Sequence, residues 1–246
     1  MTVLLLIALL FLSIQIAYYA ITSYKLHLYQ QLLCEVIDVL EQRQVKWWLD
    51  WGTLLGVWRS GHLIRHDTDL DIAILGKAEG LAEALRQRLG ARFNIDAHEN
   101  GLYLRPHKRP VHSIRDEVKM CIDYFDHRND DKLIVRRVDG VEHPEEQVMP
   151  LGAVKLAGRT CRVPQQPAEY LQLLYGYTGA FCIHEGNDCY RPCRSLADYA
   201  AFTWNVVIYS RIYFIAMGPP LPKRWLDGLW KMVKPVYNKI VAEPKL

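Results

Sequence analysis

Residues 47–75 read WWLDWGTLLGVWRSGHLIRHDTDLDIAIL, and their reading decides the fold. Trp47-Trp48-Leu49 has the composition of a short strand. Gly52-Thr53 reads as a glycine turn, and Leu54, Leu55, Val57 and Trp58 as a short helix that Gly61 stops. Asp67-Thr68-Asp69-Leu70-Asp71 then runs into Ile72-Ala73-Ile74. Side chains alternate faces along a strand, so Asp69 and Asp71 share one face while Leu70, Ile72 and Ile74 share the other.

Two carboxylates side by side on a rigid strand repel unless a cation lies between them. A hard divalent ion such as Mg²⁺ takes oxygens from one or two carboxylates together with substrate phosphates. The stretch therefore predicts a glycine turn for phosphates followed by an Asp-x-Asp pair for Mg²⁺ or Mn²⁺. A solvated acidic turn would carry the same letters. Here, however, the pair leads straight into an apolar strand.

Gly52-Thr53-Leu54-Leu55-Gly56, then Arg59, then Asp67, Asp69 and Asp71, resemble the signature of the LicD/fukutin family. A second set lies downstream: Pro150-Leu151, Gly158, Val163-Pro164, and Tyr170-Leu171 before Tyr175-Gly176. It is similar to the closing motif of that family. The chain departs from the pattern at Arg65-His66, where the family often has Pro-Trp, and at Thr68, where Asp is frequent. The Arg65-His66 variant resembles small antibiotic nucleotidyltransferases.

The resemblance implies an α+β fold with a nucleotidyltransferase-like mixed sheet flanked by helices. It implies an enzyme that moves phosphocholine, or a phospho-alditol such as ribitol phosphate, from a CDP-activated donor to a glycan or glycolipid acceptor, releasing CMP. It also implies a third metal carboxylate on a later strand in an Asp-x-Phe context, which Asp123 matches. Asp126 is the fallback. Asp69, Asp71 and Asp123 would then hold the ion, Gly52 and Thr53 the phosphates, and Arg59 the charge on leaving CMP. Asp67 or Asp123 would take the acceptor proton. Transfer of a nucleoside monophosphate to a small hydroxyl compound is one alternative, and a non-enzymatic membrane scaffold is another.

Composition bounds these readings. The chain has 246 residues, half of them hydrophobic, and a net charge of +3. That is enough for one sizeable domain without disulfide staples. There is no basic stripe with interleaved aromatics, so nucleic acid is not an expected partner.

Residues 3–24 carry no charge before Lys25 and supply the roughly 20 apolar residues of a spanning helix. Tyr18, Tyr19 and Tyr24 would form an interfacial belt. The expectation is a single-pass anchor over residues 1–24, taken over a cleaved signal peptide or a core helix. Lys25 and Arg43 behind it favour a cytoplasmic catalytic domain, as for a bacterial protein; a Golgi anchor in a eukaryote would turn the domain to the lumen.

The catalytic domain is expected over residues 25–180. Tyr29, Leu32, Leu33, Val36, Ile37 and Leu40 mark an amphipathic helix over residues 25–44, with Cys34 close to the stripe. A helix spans Leu81–Leu89. Residues 92–97 and 102–106 pair around an Asn100-Gly101 turn. Val118, Met120, Ile122 and Tyr124 alternate with Lys119, Cys121, Asp123 and Phe125 in a further strand. Residues 132–138 form another, residues 139–147 a loop, and residues 167–176 a helix.

Residues 181–246 form a third region. Cys182, His184, Cys189 and Cys193 could hold structural Zn²⁺, although their spacing fits no standard finger; free thiols or one disulfide are the other readings. Residues 195–217 and 223–240 predict two apolar or basic amphipathic helices, the second suited to a membrane surface.

Overall fold

The computed structural model describes residues 2–64, 67–107, 118–176, 178, 182–185 and 189–192. Its architecture is mixed α+β. Helix α1 spans Thr2–Gln42 without interruption. It runs through the expected boundary at Lys25 as one helix, since no Gly or Pro occurs between residues 2 and 42 to break the ladder. Its second half buries the expected stripe of Tyr29, Leu32, Leu33, Val36, Ile37 and Leu40. Ion pairs from Glu35 to Arg92 (2.5 Å) and from Asp38 to Arg159 (2.8 Å) tie its polar flank to the domain.

Ile16, Tyr19 and Tyr24, on the first half of α1, are exposed. Among the described residues no helix is long and apolar enough to cross a membrane.

Among the described residues the main sheet has seven strands. Strands β1 (Trp47–Leu49), β2 (Leu70–Leu75), β3 (Phe93–His98), β4 (Gly101–Pro106) and β5 (Met120–Arg128) lie in the order β1-β2-β5-β4-β3. The far half of β5 turns into β6 (Leu133–Arg136), which pairs with β7 (Glu142–Pro144). Among the described strands only β2 and β5 pair in parallel. A parallel pair needs a long crossover, and α3 (Leu81–Leu89) with the β3–β4 hairpin supplies it. One face of the sheet is sealed by Leu70, Ile72, Met120 and Ile122 against α1 and α3.

Three local expectations change. Gly52 and Thr53 belong to helix α2 (Trp51–Ser60) rather than to a turn before it. Asp50 accounts for this: its side chain accepts the Trp51 N–H at 2.8 Å and starts the helix one turn earlier. The β3–β4 turn centres on Glu99-Asn100, since Gly101 pairs with His98 inside the ladder. Gly101 is needed there because a Cβ would meet the Ile122 carbonyl oxygen at 2.4 Å. Finally, residues 139–147, expected to be a loop, contain β7 and the start of a short helix, α4 (Glu145–Val148). His143 buries its ring against Tyr170 and pulls that segment inward.

A second small sheet, β8 (Gly152–Leu156) and β9 (Arg159–Val163), turns at Ala157-Gly158, both at positive φ. Helix α5 (Pro167–Tyr175) follows and ends on a left-handed Gly176. Strands β10 (Cys182–Glu185) and β11 (Cys189–Pro192) form an antiparallel pair that carries the backbones of Cys182, His184 and Cys189. Cys193 and the two expected C-terminal helices lie outside the described residues.

Candidate active site

The site forms where α2 begins, at the edge where β2 emerges beside β5. Asp50 continues the β1–β2 ladder through its N–H, which donates to the Asp71 carbonyl at 3.1 Å. Thr53 then reaches across, its buried hydroxyl accepting the Asp71 N–H at 2.8 Å. The first turn of α2 is thereby clamped to the Asp-x-Asp segment. The N–H groups of that turn have no intrahelical acceptor and carry the positive end of the helix dipole.

Asp67 lies directly over this turn. A Cβ at Gly52 would come within 2.3 Å of Asp67 Oδ2, so only glycine leaves the carboxylate its place. Gly56 has a similar role one turn on, where a Cβ would meet the His62 carbonyl oxygen at 2.8 Å. The chain can therefore fold back tightly from Gly61 to Ile64.

Asp67 accepts the Thr68 N–H at 2.9 Å, and the Thr68 hydroxyl donates to Asp69 at 3.1 Å. Lys25, on α1, donates to the Asp67 carbonyl oxygen at 2.6 Å. This lysine is buried in the fold, with its ammonium 5.2 Å from the centre of the Tyr29 ring. Lys25 and Arg59 are the cations that partly offset the Asp67 charge.

The carboxylates crowd one another. Burial, with the Asp69 charge next, pushes Asp67 up to about 7. Burial followed by Asp69, Asp67, Asp50 and Asp123 holds Asp71 well above the ordinary carboxylate range. A cluster arranged in this way is disfavoured as a set of anions until a cation joins it.

Ligand atoms of Asp69, Asp71 and Cys121 lie within 4.8 Å of one another, a group able to hold a metal ion. Asp123 lies on β5, the strand beside β2, and in register with Ala73. It shares the face of Asp71 and Cys121, one repeat further along, with its carboxylate 3.8 Å from the Arg136 guanidinium. Asp126 points elsewhere and pairs with Arg137 at 2.5 Å. The donor set fits a divalent cation. In addition, the neighbouring Asp50 Oδ2 is buried without a hydrogen-bond partner among the described residues.

Behind the carboxylates is a buried polar relay that the sequence reading missed. The Trp48 indole N–H donates to the Tyr170 hydroxyl at 3.2 Å, and that hydroxyl donates to Asp50 Oδ1 at 2.8 Å. Burial pushes Asp50 up to about 6. His143 stacks on Tyr170 with ring centres 4.0 Å apart, and burial holds it down to about 4. Arg136 covers the Trp51 ring at 4.4 Å and pairs with Asp139, while Tyr175 meets the same indole edge-on at 5.5 Å. Trp51 itself has φ of 40°, a conformation unusual for a non-glycine residue. Asp50 had a legible signal, an Asp between a strand and a helix. Cys121 had only its alternation with Asp123.

The two motif regions that are far apart in the chain are thus in direct contact. Residues 44–166 match the family described as LicD/FKTN/FKRP, nucleotidyltransferase domain. The chain belongs to this family. Ribitol 5-phosphate transferase FKRP from Mus musculus is 29% identical over 158 residues, covering 57% of this chain and 30% of that protein. The Homo sapiens protein of the same name is 31% identical over 150 residues, with the same shares, 57% and 30%. The chain therefore spans about 30% of the length of these curated relatives.

Among solved structures, the lincomycin-bound lincosamide antibiotic adenylyltransferase LnuA is 17% identical, with a TM-score of 0.41, covering 71% of this chain and 93% of that one. The antibiotic-resistance factor ANT(2'')-Ia is 15% identical, with a TM-score of 0.38, covering 55% of this chain and 64% of that one.

Proposed function

We propose that this chain is a transferase of substituted phosphate groups. It moves phosphocholine, or a phospho-alditol such as ribitol phosphate, from a CDP-activated donor to a glycan or glycolipid hydroxyl. The observation behind this reading is the convergence of Asp67, Asp69 and Asp71 on the first turn of α2, in a chain of the LicD/FKTN/FKRP family. The relatives named ribitol 5-phosphate transferase support the phospho-alditol arm.

In the reaction, the acceptor oxygen forms a bond to the phosphorus that bears the substituent. The bond from that phosphorus to the bridging oxygen breaks, and CMP leaves. Asp69 and Asp71 would hold Mg²⁺ or Mn²⁺, which when bound neutralises the donor diphosphate. The N–H groups at Gly52 and Thr53, in the first turn of α2, would orient phosphate oxygens, as helix N-termini do. Arg59 and Lys25 supply positive charge beside Asp67. Asp67, which burial and then the Asp69 charge raise to about 7 in the metal-free fold, would take the acceptor proton. Asp123, paired with Arg136, lines the same face and steadies the guanidinium over Trp51.

The acceptor is membrane-proximal in this reading. The apolar run 3–24 belongs to the same helix as Lys25, which touches Asp67, and an anchor there would hold the cleft next to the bilayer. Ile16, Tyr19 and Tyr24, exposed along that helix, fit this arrangement. The full chain should then resist carbonate extraction from membranes, and loss of residues 1–24 should release it. Release of the full chain by carbonate would remove the anchor.

The decisive experiment uses cytidine-labelled CDP-ribitol, CDP-choline and CDP-glycerol with a divalent cation and a glycan acceptor. Label leaving as CMP supports the reading. Label retained on the acceptor means nucleotidyl transfer, and no binding of any CDP ligand would sink both.

A further inference from the structure

The third ligand atom near Asp69 and Asp71 is a sulfur. Asp71 and Cys121 are register partners across the parallel β2–β5 pair, so their side chains leave the sheet on the same face. With Asp69 they bring three ligand atoms within 4.8 Å of one another. The register partner of Asp123 is Ala73, which offers no ligand, and the Asp123 carboxylate is engaged with Arg136 at 3.8 Å. Next to the group, the buried Asp50 Oδ2 has no hydrogen-bond partner among the described residues, and its charge reaches Asp71.

Two carboxylates and a thiol are a mixed donor set. Mg²⁺ prefers oxygen in near-ideal octahedral geometry and gains little from sulfur. Thiolates select softer ions, and the intrinsic order rises from Mn²⁺ through Co²⁺. We infer that Cys121 is the third protein ligand at this position, and that the site binds thiophilic divalent cations more tightly than Mg²⁺. The inference rests on the metal role of Asp69 and Asp71 proposed above, and it changes the third ligand and the preferred ion. A carboxylate-only site would treat Cd²⁺ and Mg²⁺ as oxygen-bound ions and leave the sulfur as a bystander.

The test uses the full chain stripped of metal by a chelator and titrated with Cd²⁺. The readout is the ultraviolet charge-transfer absorption of a cadmium–thiolate bond. Cys121→Ser and Asp71→Asn are titrated in parallel. Cys34, Cys161, Cys182, Cys189 and Cys193 are present in all three proteins, so whatever they contribute cancels in the difference spectra. The wild type should show a component that is missing in Cys121→Ser and also missing in Asp71→Asn, which keeps the thiol. Calorimetry should show Cd²⁺ affinity falling on the order of tenfold or more in Cys121→Ser, with Mg²⁺ affinity unchanged.

Identical spectra for wild type and Cys121→Ser, with both still binding Mg²⁺, would overturn the inference and leave the two-carboxylate reading standing. If no protein binds any divalent cation, both fall. Should Cys121→Ser lose its circular dichroism signature, Asp71→Asn decides: persistence of the full wild-type component there overturns the inference.

Discussion

The Tyr170 hydroxyl donates a 2.8 Å hydrogen bond to Asp50 Oδ1, joining residues 120 positions apart. One belongs to α5, the other opens α2, and both are fully enclosed. The bond explains why a tyrosine near the end of the described domain matters to a site built from residues near its beginning.

Removing that hydroxyl should be felt in stability. In Tyr170→Phe the Asp50 carboxylate keeps the Trp51 N–H but loses its second donor, and the Trp48 indole loses its acceptor. A buried group left unsatisfied costs about 1–3 kcal/mol. Chemical denaturation should show a loss of that size, and an unchanged midpoint would mean the relay contributes nothing.

Gly52→Ala separates folding from function. Alanine favours a helix over glycine by about 1 kcal/mol. Its Cβ would nevertheless collide with Asp67 Oδ2, the far end of a side chain that can swing away. The variant should fold with wild-type circular dichroism and lose binding of CDP ligands. Retained binding would show that the seat of Asp67 over the helix is incidental.

Much of this site was legible in the sequence, and the parts that were not share a cause. Asp67, Asp69, Asp71, Gly52 and Thr53 are close in sequence and follow strand and glycine rules, so local reasoning reaches them. The helix at 81–89 and the alternation at 118–125 were equally readable. Cys121, Tyr170, His143 and Arg136 come to the site through strand register and packing between distant segments. Periodicity says which face a residue occupies, not which neighbour it meets. Lys25 is a further case: its place after the apolar run is readable, and only the path of α1 past Asp67 shows its partner.

The crowded carboxylates set an unusual pH response. Asp67 titrates at about 7 and Asp50 at about 6 in the fold, and Asp71 is also raised. In the unfolded chain such groups titrate near about 4. Between those values the folded state holds protons that the unfolded state has released, so stability falls as pH rises. His143 opposes this only at lower pH. Held at about 4 in the fold, it withdraws stability as pH drops below its unfolded value of about 6.5. In chelator, Tm should therefore rise as pH is lowered from about 8 to about 6.5. A saturating divalent cation should flatten that slope, because it binds the deprotonated groups. A metal-free Tm that falls over the same interval would contradict the assignment.

Lys25→Met keeps the apolar stem and removes the ammonium that donates to the Asp67 carbonyl oxygen. A hydrogen bond from a charged donor is worth about 1.5–3 kcal/mol, so denaturation should register a loss within that range. The segment carrying Asp67 should loosen, and transfer should slow more than donor binding weakens. Equal loss in both would point to general unfolding rather than to positioning of Asp67.

Asp71→Asn gives the most direct reading of the metal position. Asp71 is tied to α2 through its backbone N–H, which the substitution leaves intact on Thr53. The carboxylate itself is raised by burial and by four neighbouring aspartates. Replacing it with an amide therefore removes repulsion without removing a clamp, and the metal-free variant should melt at or above the wild-type temperature. Divalent cation at 100 times its Kd stabilises a folded protein by about 2.7 kcal/mol, so wild type should show a clear upward shift on adding Mn²⁺. The variant should show almost none, and transfer should be abolished. A variant that is both unstable without metal and fully rescued by Mn²⁺ would mean that Asp71 serves the fold and that the ion sits elsewhere.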